Sequence, residues 1–405
     1  MAYARVFAVV LTLSSLALAT IQGDDFGKIL RKAVKDKIER GLSPEGIGDA
    51  LAPGDMDAEL YTIKTADGWT LVAHRYRPRG KPLGRPPVIL CHGLSYSAIF
   101  WDLDPGCSLP TYLSRRGYDV WSVSLRGCGL SQKWVWKLEN APAQALGSAL
   151  RRLTRGKLAP TGYASLDPKY ANWTMDDHIL HDVPALVHLV RKQTGASQVA
   201  WVGHSMGGII VLAHLSRYGN PGIGSLITVG SQVTMPDGQL FLQFLGEMTR
   251  VRQMQIGGQF DKTQLTEDTR KSIHNMFFNE AHTSEHVYQA LTTWATDVPA
   301  IGLLRQYTVL ATKGELLDSH KDFNYARNLH QITVPILITC GEADQLAPRA
   351  VQRYIYQKVQ STDKQLVVFG RSQGFSVNMG HNDTLVGLTS QQQVYPILER
   401  WLRAH

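Results

Sequence analysis

The pentapeptide Gly203–Gly207, with the sequence Gly-His-Ser-Met-Gly, restricts the fold of this chain more than any other feature. It lies between two apolar runs, Val199–Val202 and Ile209–Leu212. This pattern predicts a strand, a sharp corner and a helix, with Ser205 strained at the corner. The flanking glycines leave room where a Cβ atom would clash with a neighbouring strand or helix. A serine held in this way stands clear of the sheet at a helix N-terminus, so we interpret Ser205 as a candidate nucleophile.

Two strand-length apolar runs downstream each end in a loop that carries a titratable side chain. Val334–Cys340 is followed by Asp344, and Gln365–Gly370 is followed by His381. Catalytic groups of open α/β sheets gather at the carboxyl ends of the parallel strands. The chain order Ser205, Asp344, His381 is typical of a nucleophile, an orienting acid and a general base.

Other carboxylates compete with Asp344 for the place of the orienting acid. Glu342 lies on the same loop but nearer to the strand, and Asp237 follows an earlier strand. Asp383 is two residues from His381, where we expect it to cap the terminal helix or to steady the loop. Aspartate is also common in turns, so an ordinary turn residue is the simpler alternative for Asp344 itself.

A nucleophilic serine also needs donors that stabilise the oxyanion formed during the reaction. The backbone N–H of Met206, the residue after the nucleophile, is the first candidate, and the N–H of Leu94 is the second. Leu94 follows His92 and Gly93 at the end of another apolar run, Pro87–Cys91. We expect His92 to hold that loop by hydrogen bonds rather than to take part in the chemistry.

Strand and helix patterns alternate along most of the chain. An antiparallel hairpin is predicted at Leu60–Lys64 and Thr70–Arg75, and six further strands are predicted near Val88, Val120, Val199, Leu226, Ile336 and Val367. The fold class is therefore α/β, with a mostly parallel eight-stranded sheet that carries helices on both faces. Residues 58–235 and 332–405 form this core, and the helical segment 236–331 interrupts it.

Several motifs resemble the α/β-hydrolase superfamily from about Glu59 to the C-terminus. They are Thr65–Leu71, His92-Gly93, Tyr118–Ser131 and Gly203–Gly207, whereas a narrower resemblance within the superfamily rests on Tyr118–Trp121, Trp173–Asp177 and His181–Ala185. Within the superfamily, the chain looks most similar to lipases and esterases of the acid-lipase and monoglyceride-lipase kind. The resemblance implies a helical cap at 236–331 and a serine hydrolase that cleaves small-molecule or lipid esters without a cofactor. Acyl transfer by the same residues, and a non-catalytic binding protein of the same fold, stay open as alternatives.

The N-terminal residues indicate where the protein goes. Residues 1–19 combine Arg5, a short apolar stretch and a small-residue cleavage site ending at Ala19, so they predict a signal peptide and an exported protein, periplasmic or secreted. Residues 20–57 form an amphipathic leading helix and a linker. That basic helix either lies on an anionic membrane surface or packs on the domain and exposes ordinary lysines.

Composition excludes some functions and leaves others open. The net charge of +8 is too diffuse outside the leading helix to predict nucleic-acid binding. A metal site is not predicted, because His282 and His286 lack the glutamate of a zinc-protease motif, and His178 and His181 are expected on a helix surface. A disulfide between Cys107 and Cys128, which both lie in loops, is left open for an exported protein.

Overall fold

The structure is a computed structural model that describes residues 58–132, 172–239, 241–246, 274–297 and 299–405. The predicted signal peptide (1–19) and the leading helix and linker (20–57) lie outside the described residues, as do parts of the predicted cap. These assignments therefore stay predictions. None of the described helices is long and apolar enough to cross a membrane.

A single eight-stranded sheet organises the described chain, as the alternating pattern predicts. Its strands are β1 (Glu59–Lys64), β2 (Thr70–Tyr76), β3 (Val88–Cys91), β4 (Val120–Ser124), β5 (Val199–His204), β6 (Ile223–Val229), β7 (Ile336–Gly341) and β8 (Lys364–Phe369). The spatial order is β1-β2-β4-β3-β5-β6-β7-β8. Strand β2 pairs antiparallel with β1 and with β4, and the pairs from β4 to β8 are parallel.

The central strands are buried throughout and mostly apolar because helices cover both faces of the sheet. Every residue of β3, β4, β5 and β7 is buried. Successive residues point to opposite faces, so Ile89 packs in one hydrophobic cluster and its neighbours Val88 and Leu90 pack in the other. Continuous apolar strands of this kind are typical of parallel sheets that are buried on both sides.

Besides the helical residues at 241–246 and 274–277, ten α-helices lie in the described part of the chain. They are α1 (Leu109–Ser114), α2 (Met175–Asp177), α3 (Val183–Thr194), α4 (Met206–Tyr218), α5 (Glu285–Ala290), α6 (Ile301–Lys313), α7 (Arg349–Lys358), α8 (Asp383–Val386), α9 (Ser390–Gln393) and α10 (Tyr395–Ala404). The apolar residues of α3, α4 and α7 pack on one face of the sheet. Those of α1 and α10 pack on the other face.

The described residues between β6 and β7 are largely helical. Besides α5 and α6, they include a 3-10 turn at Glu280–His282 and helical residues at 241–246. Phe241, Phe244 and Tyr307 from this segment pack into the same hydrophobic cluster as α3 and α4. The segment therefore covers the carboxyl end of strand β5.

Candidate active site

Ser205 occupies the corner between β5 and α4. Its backbone angles are φ 49° and ψ −118°, a conformation that costs a residue with a side chain about 1–3 kcal/mol. Surrounding hydrogen bonds hold it there: the Ser205 N–H donates to the Val229 carbonyl at 2.8 Å, and the Ser231 hydroxyl donates to the Ser205 carbonyl at 2.9 Å. The strained corner that the sequence predicts is confirmed.

The two flanking glycines are required for close approach of the backbone. A Cβ atom on Gly203 would meet the backbone of Gly207 and Gly208 at the start of α4. A Cβ atom on Gly207 would meet the backbone carbonyl of Cys91 at the end of β3. Helix α4 can therefore run directly beneath the strand ends only with these two residues.

His381 and Asp344 form a buried hydrogen-bonded pair. The Nδ1 atom of His381 lies 2.9 Å from Oδ2 of Asp344, and both side chains are 1% exposed. The second oxygen, Oδ1, accepts the backbone N–H groups of Leu346 at 2.9 Å and Ala347 at 2.8 Å. Each oxygen of Asp344 therefore has its own partners, which fixes the carboxylate and leaves the Nε2 atom of His381 turned away from it.

The other candidate acids have different partners. Glu342 accepts the Ser372 N–H at 3.1 Å, and Asp237 accepts the Gln239 N–H at 3.3 Å. Asp383 holds the loop, as expected: its Oδ2 accepts the Gly380 N–H at 2.9 Å. Among the four carboxylates, the structure brings Asp344 to the ring of His381.

Ser205 and His381 line one small cavity. The Nε2 atom of His381 is buried and has no hydrogen-bond partner among the described residues, so it makes no hydrogen bond with the Ser205 hydroxyl. The cavity has a volume of about 10 Å³, which is room for about one water molecule. Its other lining residues are Leu94, Tyr96, Gln232, Phe241, Phe244, Phe277, Tyr307 and Leu346. Most of its wall is therefore apolar and aromatic.

His92 holds the loop after β3, as the sequence predicts. Its Nδ1 lies 2.8 Å from the Gly93 carbonyl, and its Nε2 accepts the Leu125 N–H at 3.1 Å. These partners fix a neutral ring with the proton on Nδ1, and burial lowers the pKa of His92 to about 4. The loop thus carries Leu94 to the cavity, and Met206 lies beside it as the first residue of α4, where an N–H has no acceptor within the helix.

His204 connects the nucleophile corner to the histidine loop. Its ring stacks on Phe100 with 4.6 Å between centroids, and its Nε2–H donates to the backbone carbonyl of His381 at 3.1 Å. Burial is the main reason that the pKa of His204 lies well below its ordinary value, and the nearby His381 lowers that pKa further. A neutral ring at this position therefore ties the two loops together.

A second buried histidine–aspartate pair lies beside His381, and sequence reasoning missed it. His282, from the segment between β6 and β7, approaches Asp383 with 2.9 Å between Nδ1 and Oδ2. The adjoining Asn279 N–H donates to Oδ1 of Asp383 at 2.9 Å, and the Asn382 N–H donates to the Phe277 carbonyl at 2.8 Å. These bonds fasten the segment that carries Phe277 to the loop that carries His381.

The expectation that His178 lies on a helix surface is wrong. His178 is 1% exposed, and its Nδ1 lies 2.7 Å from Oδ2 of Asp182, which also binds the buried guanidinium of Arg126. Burial alone raises the pKa of Asp182, but Arg126 and His178 outweigh it and lower that pKa to about 2. Arg126 also donates to Oδ2 of Asp67 at 2.6 Å.

The cysteines do not form the disulfide that the sequence left open. Cys107 and Cys128 are buried thiols, and so are Cys91 and Cys340 in strands β3 and β7. Burial raises the pKa of Cys107 to about 12, so its thiol stays protonated at neutral pH. These groups contribute packing rather than a crosslink.

Curated lipases are the relatives of this chain by sequence. Lipase member K of Homo sapiens is 29% identical over 202 residues, which are 48% of this chain and 44% of that protein. A putative lysosomal acid lipase/cholesteryl ester hydrolase of Crotalus adamanteus is 27% identical over 192 residues, 45% of this chain and 41% of that protein. Gastric triacylglycerol lipase of Bos taurus is 30% identical over 156 residues, 37% and 32% respectively. The identities of 27–30% make the homology to lipases distant, and the matched segment spans less than half the length of these relatives.

Solved structures and a family match agree on the fold. An esterase of Exiguobacterium antarcticum aligns with a TM-score of 0.55 at 19% identity, over 84% of this chain and 98% of that one. A membrane phospholipase A, described as a bacterial virulence factor, aligns with a TM-score of 0.53 at 13% identity, over 100% and 99%. The α/β-hydrolase fold family matches residues 86–373. This match covers more than half of the sequence and includes the sheet from β3 to β8, so the chain belongs to the α/β-hydrolase fold family.

Proposed function

We propose that this protein hydrolyses carboxylic esters through a covalent acyl-enzyme intermediate. Ser205 is the nucleophile, His381 the general base and Asp344 the acid that orients His381. One observation carries the proposal: a serine in a strained corner lines the same small cavity as a carboxylate-bound histidine whose Nε2 has no partner among the described residues. The distant homology to lipases agrees with it.

The reaction follows from the positions of these groups. The Ser205 hydroxyl attacks the ester carbonyl carbon while Nε2 of His381 takes its proton. Asp344 keeps the other ring proton on Nδ1 and stabilises the imidazolium that forms. His381 then protonates the leaving alcohol, and a water molecule, deprotonated by the same base, releases the acid and restores Ser205.

The oxyanion of the tetrahedral intermediate needs hydrogen-bond donors close to the former carbonyl oxygen. The N–H of Met206 begins α4, so the helix dipole favours negative charge there. Leu94 supplies the second N–H; it lines the cavity from the loop that the hydrogen bonds of His92 hold. Each such donor contributes about 3 kcal/mol to lowering the barrier.

The cavity walls support an ester with a hydrophobic acyl or alcohol part. Phe241, Phe244 and Phe277 form an aromatic wall beside Ser205. A cavity of about 10 Å³ is too small for an ester, so these side chains move when substrate enters. Closure over the bound ester then excludes water from the oxyanion contacts.

The test is a panel of p-nitrophenyl esters of increasing acyl length, with the wild type and Ser205→Ala. We expect Ser205→Ala to lower turnover by at least about a thousandfold while the thermal unfolding temperature stays close to that of the wild type. Ser216→Ala is the matched control, since Ser216 lies on the same helix and its hydroxyl donates to the Ala213 carbonyl. Esterase activity retained in Ser205→Ala refutes the proposal, and product analysis with a competing alcohol separates hydrolysis from acyl transfer.

A further inference from the structure

Gln232 lines the cavity beside Ser205, and its buried amide oxygen has no partner there among the residues that the structure describes. It follows the end of β6, is 2% exposed, and lines the cavity together with Ser205 and His381. Its Oε1 atom is buried and has no hydrogen-bond partner in the described part of the chain. The walls around it are mostly apolar and aromatic, so the protein supplies little that could pair with it.

Neighbouring residues hold the backbone of Gln232 on both sides. Gln352 donates to the Ser231 carbonyl at 2.8 Å through its Nε2. On the other side, the Leu316 N–H donates to the Val233 carbonyl at 2.9 Å. Since the Ser231 hydroxyl also binds the Ser205 carbonyl, the position of Gln232 is fixed relative to the nucleophile.

A buried amide oxygen without a hydrogen-bond partner lowers the stability of a folded protein. Methionine has nearly the same length and would fill the same space without a polar atom to satisfy. Such a group is compensated when a bound molecule brings a matching donor or acceptor into the cavity. An amide accepts through its oxygen and donates through its nitrogen, and a hydroxyl can do both in return.

We propose that Gln232 is a specificity-determining residue that hydrogen-bonds a hydroxyl group of the substrate, close to the scissile ester. This inference rests on the proposed function, because it concerns the ester that Ser205 attacks. The preferred substrate class is accordingly a hydroxylated ester. The hydroxyl comes either from the alcohol part, as in a partial ester of a polyol, or from a hydroxyacyl part, and both present the same chemistry to the amide.

Two pairs of esters distinguish a hydroxyl on the alcohol part from one on the acyl part. The two members of each pair differ by one group. The first pair is 2-hydroxyethyl butanoate and propyl butanoate, in which a methyl group replaces the hydroxyl of the alcohol part. The second is ethyl 3-hydroxybutanoate and ethyl 3-methylbutanoate, with the same replacement in the acyl part. For each pair, the ratio of the two kcat/KM values is measured for the wild type, Gln232→Met and the control Leu346→Met. Leu346 lines the same cavity without a polar side-chain atom.

We expect the wild type to prefer the hydroxylated ester of one pair by about tenfold or more, the value of one well-placed hydrogen bond. Gln232→Met should bring that ratio close to one, and Leu346→Met should keep it. Both kcat/KM values in a ratio are measured on the same variant, so a partial loss of folded enzyme lowers both equally and leaves the ratio unchanged. Gln232→Met should also unfold at the wild-type temperature or above. If Gln232 only stabilised the fold, the substitution would lower the unfolding temperature.

The outcomes distinguish the two proposals. Equal ratios in the wild type and Gln232→Met for both pairs overturn the role of Gln232 and leave ester hydrolysis standing. A wild type that cleaves neither these four esters nor p-nitrophenyl esters overturns the proposed function, and the role of Gln232 with it.

Discussion

Replacing Asp344 by asparagine tests whether this carboxylate decides which ring nitrogen of His381 carries the proton. The Oδ1 atom of Asp344 accepts two backbone N–H groups, from Leu346 and Ala347, and the oxygen of asparagine would keep those bonds. The new NH₂ group would then face Nδ1 of His381 in place of Oδ2. A donor there requires Nδ1 to be an acceptor, so the ring proton moves to Nε2. His381 could then no longer take the proton of Ser205.

The expected loss is large because the wrong tautomer removes the base while the geometry is kept. We expect kcat to fall by about 10⁴-fold in Asp344→Asn, which corresponds to about 5.5 kcal/mol of transition-state stabilisation, with little change in KM. The assay is steady-state hydrolysis of p-nitrophenyl butyrate, with thermal unfolding as the measure of folding. Glu342→Gln is the matched control, since Glu342 lies on the same loop and binds the exposed Ser372 N–H; its kcat should stay within about threefold of the wild type. An Asp344→Asn enzyme that folds normally and keeps more than a tenth of the wild-type kcat refutes the reasoning.

Three further substitutions test the structure around the site. Burial lowers the pKa of His92 to about 4, below its ordinary value near 6.5, so the unfolded chain binds a proton that the folded protein resists. His92 alone should therefore lower the free energy of unfolding by up to about 3 kcal/mol between pH 6.5 and pH 4, and His92→Gln should remove that part of the fall in a series of urea unfoldings. Gly207→Ala should unfold the protein or destabilise it by more than about 3 kcal/mol in the same assay, because its Cβ would meet the Cys91 carbonyl. Arg126→Met should cost about 3–5 kcal/mol at neutral pH, because it leaves Asp182 buried without its guanidinium partner; a loss under 1 kcal/mol would contradict that role.

Local patterns in the sequence predict the sheet and the strained corner correctly. The central strands are buried on both faces, so their sequences are mostly apolar, and polar residues follow in the turns at their ends. The corner at Ser205 can be predicted because its glycines are sterically required within five residues of one another. The placement of Asp344 against His381 follows from the parallel order of β7 and β8, since their carboxyl ends meet at one edge.

Long-range pairings could not be predicted because they depend on how separate segments dock. His282 and Asp383 are 101 positions apart, and no local pattern joins them. The sequence expectation placed His178 on a surface because a histidine in a helix gives no sign of a buried carboxylate one turn away. Gln232 looks like an ordinary polar residue after a strand, and only the folded structure shows that its Oε1 atom is buried beside the cavity without a partner among the described residues.

The most direct test of the account is covalent labelling by a serine-directed fluorophosphonate, followed by mass spectrometry of the peptides. We predict one adduct per protein molecule, on Ser205, with loss of esterase activity in step with labelling. Asp344→Asn should be labelled far more slowly, and Ser205→Ala should not be labelled. Labelling at another residue, or no labelling of a folded wild type, would contradict the assignment of Ser205 as the nucleophile.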